Sequence, residues 1–238
     1  MLNVKQLRAP RAGQRGLSLI EAMVGLTVGL IIVAGATMLV TAQITEHRRL
    51  MTETQMQQDL RAAADLILSE LRRAGAWEGA SNGVWAPGGA ATPIANPYTN
   101  LTPSAAGTGS TITYQVTQTL RGSGPAEDNV VTPNEQRRFF WSGDQLFYSP
   151  SAAAGTPSQP LTDPNSMKIT AFSVNQAVQT IPLDNFCNVP CAAGSCPQQL
   201  VRQVVVSITG ESVSTPKIVR HVELGTRLLN DRIVGSCS

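Results

Sequence analysis

Glu21 is the one charged residue in the apolar run Leu17–Val40, LSLIEAMVGLTVGLIIVAGATMLV. The chemistry open to it there is electrostatic. A carboxylate near the centre of a membrane-inserted helix costs roughly 2.5–3.5 kcal/mol, and this run supplies no cation to offset it. Cys187, Cys191, Cys196 and Cys237 are the next reactive set. On the outer side of a membrane they would be oxidised, so two disulfides are the expected state, with every pairing open. Structural zinc and free thiols are the alternatives; the C-x3-C-x4-C spacing lacks the C-x2-C knuckle usual for zinc. His47 and His221 have no acid–nucleophile pattern beside them. Glu127 and Asp128 lie in a Gly/Pro-flanked loop and read as solvated turn residues, not as a carboxylate dyad. The GTGS stretch Gly107–Ser110 has no lysine to make it a phosphate loop. The expectation is therefore a protein that is not an enzyme and carries no cofactor or metal.

The element that must position Glu21 is a helix. At ~1.5 Å per residue, Leu17–Val40 would reach about 36 Å, enough to cross the ~30 Å hydrocarbon layer. Lys5, Arg8, Arg11 and Arg15 precede it without any acid, which places the N-terminus in the cytoplasm and the remainder outside. An ordinary secretory signal, cut near Val40–Gln43, is disfavoured by the length of the apolar run and by Glu21. Across the 238 residues, charged side chains make up 14% and the net charge is +2, so no nucleic-acid contact is inferred.

The helical signal continues past Val40, because Gln43–Ala74 contains neither Pro nor Gly. Met56, Leu60, Ala64, Ile67 and Leu71 draw one apolar stripe, with Glu53, Gln57, Arg61 and Arg72 away from it. Arg72 and Arg73 suit the negative end of the helix dipole, and Gly75 suits its C-cap. One helix over about Leu17–Ala74 is expected; a break near Thr41–Thr45 is the alternative. Gly25 and Gly29 have helix-packing spacing, a weak signal in so apolar a run.

Gly79–Leu120 is uncharged, and its first part reads as a loop anchored by Trp77 and Trp85, more a packed surface than a docking one. Strands are expected at TITYQVTQTL, in a hairpin RRFFW-SGD-QLFYS, and at MKITAFSV, VRQVVVSITG and KIVRHVEL. Strands in succession without helices between them imply an antiparallel sheet, and the striped half of the helix can cover one face. The fold class is thus α+β, with a long N-terminal helix packed by its second half on the sheet.

These residues carry a resemblance. The basic leader, Gly16 and LSLIEAMVGLTVGLIIVAG resemble the class III signal of the type IV pilin and pseudopilin family. Leu17 stands where that family more often has phenylalanine. QDLRAAADLILSELRRAGAWEG and RHVELGTRLLNDRI are similar to segments of the PilW-type minor pilins. The resemblance implies a pilin-like fold, cleavage by prepilin peptidase between Gly16 and Leu17, and N-methylation of Leu17. It implies that Glu21 sets assembly register by facing a neighbour's α-amino group. Implied partners are other minor and major pilins through the N-terminal helix, the peptidase, the inner-membrane assembly platform and a large tip adhesin. The implied parts are a leader (1–16), a membrane and filament-core half-helix (17–40), an amphipathic half-helix (41–75) and a β-rich domain (76–238). The implied location is the inner membrane before assembly, then the periplasm and cell surface. A minor pseudopilin of type II secretion and a membrane-anchored periplasmic binding protein are the alternatives.

Overall fold

The computed structural model describes residues 16, 18–83, 94–104, 110–118, 127–192, 194–214 and 217–237. The chain divides into two compact units, Met1–Met51 and Thr52–Ser238. Helix α1 runs over Leu19–Arg72. In the first unit every described side chain of the helix is exposed, and the segment is long and apolar enough to cross a membrane. No break occurs at Thr41–Thr45. Each of these threonines turns its hydroxyl back to a carbonyl of the preceding turn, Thr41 to Thr37 and Thr45 to Thr41, both at 2.9 Å. Thr27 and Thr37 do the same, so the hydroxyls satisfy themselves within the helix without water.

In the second unit, the helix buries Met56, Leu60, Ala64, Ile67 and Leu71, the expected stripe, together with Ala63 and Leu68. The helix ends at Arg72, and Gly75 (φ +77°) turns the chain while its N–H donates to the Gln115 carbonyl. Arg61 and Gln57 are exposed as expected. Glu53 departs from the reading. It is half-buried and ion-paired with Arg220, because the strand beneath the helix brings a guanidinium under it.

The described strands form two antiparallel sheets where one was expected. The first has the order β1 (Leu101–Pro103), β2 (Thr111–Gln115), β3 (Gln136–Ser142), β4 (Gln145–Ser149) and β5 (Gln159–Pro160). The second has β6 (Met167–Pro182), β7 (Gln198–Ser212) and β8 (Val219–Arg227) side by side, with β9 (Arg232–Val234) also on β7. The physical reason lies in the edges of the first sheet. Pro103 and Pro160 stand on its outer strands, and proline has no N–H to carry a ladder further. The chain therefore starts again at Met167. The SGD hairpin is present, with Gly143 and Asp144 between Ser142 and Gln145.

One core joins all three layers of this unit: Leu60, Ile67 and Leu71 of the helix, Ile112, Phe139 and Leu146 of the first sheet, and Phe172, Val206 and Ile208 of the second. Gly210 on β7 permits the close approach. A Cβ there would sit 3.3 Å from Leu60 Cδ2 and 3.5 Å from Met56 Cε.

The same core holds an ion pair. On β3, Arg137 shares a face with Phe139 and Trp141 and is buried like them. Its Nη1 lies 3.0 Å from Glu70 Oε2, which also accepts the Tyr114 hydroxyl at 2.9 Å. Burial, with Tyr148 and Glu70 adding to it, pushes the Tyr114 phenol above the ordinary tyrosine range. For Arg137, burial opposes the charge, but Tyr148, Tyr114 and Glu70 outweigh it and raise its pKa.

Three outcomes follow for stability. Ile67→Ala should cost about 2–5 kcal/mol in denaturant titration, as a fully buried side chain lost from a core. Arg137→Met should cost about 3 kcal/mol by leaving Glu70 with only the longer, more exposed contact to Arg73 at 3.5 Å, whereas adding Glu70→Leu to that variant should restore most of the loss. Because Tyr114 holds its proton more tightly when folded, its contribution is intact below about pH 10 and declines above it. The decline is about 1.4 kcal/mol per pH unit. Tyr114→Phe should flatten the alkaline limb of a melting-temperature profile.

Candidate processing and assembly site

Gly16 is exposed and non-helical, and Ser18 gives the helix its first turn by accepting the Ala22 N–H at 3.1 Å. The backbone next to the expected cut is thus not committed to the helix, which begins at Leu19. Leu17, the expected methylated residue, lies outside the described residues, as do Lys5, Arg8, Arg11 and Arg15. Glu21 falls in the first helical turn and is exposed. There the free N–H groups of the helix end favour a negative charge, typically by 0.3–1 kcal/mol, ~0.5 being representative. That is well below the cost of a carboxylate in hydrocarbon. Among the described residues, no cation is paired with it. Since the threonine hydroxyls bond within the helix, the carboxylate is the polar group of this segment that needs something from outside. Around Gly25 and Gly29 a Cβ would meet nothing within 4 Å, so the helix face they share is open.

Residues 11–37, which frame this site, match the model of the prokaryotic N-terminal methylation motif. Residues 49–228 match the model of prepilin peptidase-dependent protein B. The chain belongs to the prepilin peptidase-dependent protein B family. It is a type IV pilin-like protein, dependent on that peptidase, and its apolar helix fits anchoring in the inner membrane. No curated protein and no solved structure matches the chain. The family region begins just past the apolar run and ends after β8, so it takes in the striped half-helix, the first sheet and the second sheet except β9.

The cysteines are brought together at the far end of the second sheet. Cys187 bonds Cys237 across a sequence separation of 50, and Cys191 bonds Cys196 across 5. Cys187 follows β6, and Cys237 follows β9, so the first bridge ties the C-terminal tail to the β6–β7 connection. The Ser236 N–H adds a bond to the Ser195 carbonyl at 3.0 Å.

Two polar clusters escaped the sequence reading. Glu127, expected to be a solvated turn residue, instead accepts the Thr117 hydroxyl at 2.7 Å and lies 2.8 Å from the buried Tyr98 hydroxyl. Glu135 is 2.9 Å from the same hydroxyl and accepts from Thr132. Asp128 does behave as a turn residue, accepting the Val130 N–H. The Trp77 indole donates to Asn129 at 2.8 Å, as an anchor of this region, while Trp85 lies outside the described residues. The second cluster is Glu70–Arg137–Tyr114. Its signal was available: in RRFFW, Arg137 alternates with Phe139 and Trp141, and an inward arginine requires an acid. His47 and His221 are both exposed; His221 Nδ1 lies 3.0 Å from the Thr209 hydroxyl. The GTGS stretch falls almost wholly outside the described residues.

The two bridges should differ in weight. In the chain-entropy treatment, removing Cys187–Cys237 should cost about 4 kcal/mol and removing Cys191–Cys196 about 2 kcal/mol, because the closed loops differ in length. Paired Cys→Ser variants compared by thermal melting would show that order; equal losses would refute it.

Proposed function

We propose that this chain is a minor type IV pilin of the PilW type, a non-enzymatic subunit that helps to initiate or cap a pilus. The observation that carries the reading is Glu21, a lone carboxylate five residues into the chain that cleavage after Gly16 would leave. Cleavage creates an α-amino group on each subunit at the same level of the membrane. A neighbour's amine can then compensate the carboxylate when helices pack side by side and water is excluded. A charge pair in such surroundings is favourable only with both partners present, so it penalises a wrong offset or a wrong chain.

In this reading the leader is removed at the cytoplasmic face, Leu17 is methylated, and the helix stays in the inner membrane until other pilins extract it through the assembly platform. The β-rich part, stapled by its disulfides, then stands outside. A large adhesin at the tip is the partner such a subunit would present.

Glu21→Ala and Glu21→Gln are expected to be inserted and cleaved normally, yet to lose crosslinks to other pilin subunits in intact cells. The glutamine keeps the shape and loses the charge, so it should fail nearly as badly as alanine. Crosslinking at the level of the unsubstituted chain in both variants would remove the carboxylate from the assembly step.

A further inference from the structure

Strand β6 has one side on β7; its other side carries no strand among the described residues. At the start of β6 that side is closed, because the Ile169 N–H donates to the Asp144 carbonyl at 2.9 Å and Lys168 pairs with Asp144. From Ala171 to Pro182, AFSVNQAVQTIP, it carries no strand or backbone hydrogen bond among the described residues and contains no charged residue. A strand edge of this kind exposes a row of N–H and C=O groups and templates pairing with another chain.

The other sheet edges among the described residues are protected. The first sheet ends in short strands bearing Pro103 and Pro160. The outer strand β8 carries Arg220, Glu223 and Arg227, and β9 carries Arg232. On β6 the protective devices sit at the two ends of the open stretch, an irregular register between Ile169 and Ala171 and a proline at position 182. Between them stand exposed apolar side chains, Val178 at 52% and Ile181 at 39%.

We propose that Val174–Pro182 is a docking edge for a second copy of this chain, joined β6 to β6 in antiparallel register about a two-fold axis at Val178. A second copy fits because its own open, neutral edge is this same segment; its other edges are charged or blocked by proline. In that register Val178 faces its counterpart, Gln176 faces Thr180 and Asn175 faces Ile181. The nearest charges, Lys168 and Asp184, fall outside the paired stretch, so no like charges are opposed. The pairing extends the second sheet across two copies. It is independent of Glu21 and of the assembly role proposed above.

The test uses the full chain purified in detergent. Light scattering coupled to size exclusion should show a dimer that dissociates on dilution. Amide hydrogen exchange should show added protection within Val174–Pro182 in the dimer. Val178→Lys sets two cations face to face at the axis, and Val178→Thr leaves the edge neutral. The lysine variant, which also places a cation opposite Arg202 on β7, should lose the dimer at temperatures where circular dichroism shows it folded, and the threonine variant should retain the dimer. A monomer at every concentration, a dimer that survives Val178→Lys, or a dimer without protection on β6 would each overturn the proposal.

Discussion

A carboxylate in an apolar helix is the constraint around which this protein is arranged. The helix itself needs nothing further. Its backbone is bonded within the segment, and Thr27, Thr37, Thr41 and Thr45 bond back to their own turns. Glu21 is different, because the free N–H groups of the first turn offset only part of the cost of taking its charge out of water. A single subunit can tolerate that near the membrane surface. An assembly of such helices can turn it to use, provided that each subunit brings a positive charge to the right height. Cleavage after Gly16 would supply that charge.

The second unit meets a different demand, which is to fold as one body on the continuation of the same helix. The stripe from Met56 to Leu71 does this with apolar contact, and Gly210 lets the helix come close to β7. Glu70 with Arg137 and Glu53 with Arg220 add direction to that contact, tying the helix to one strand of each sheet. Such pairs contribute modestly as they stand and cost much when one partner is lost. They therefore fix how the helix lies on the sheets more than how strongly it binds.

The sequence made parts of this legible for definite reasons. Glu21 stands out by type as the lone charge of an apolar run, while a role for Gly16 enters only through the resemblance to the prepilin signal; the stripe and the hairpin are read by period. The split into two sheets was not legible, since a run of strands does not say where a ladder stops. It took the positions of Pro103 and Pro160 on outer strands to show that. Tyr98, Glu127 and Glu135 meet from segments far apart in the chain, so no local pattern announces them. The pairing of the cysteines depends on where β9 returns beside β7, which is also a long-range fact.

The central claim is that the countercharge of Glu21 is made by proteolysis. It is tested most directly by the N-terminal sequence and intact mass of the chain recovered from membranes, with and without prepilin peptidase. The account predicts a chain starting at a methylated Leu17 when the peptidase is present and an uncut leader when it is absent. A chain starting at Gln43, or the same N-terminus in both cases, would contradict it.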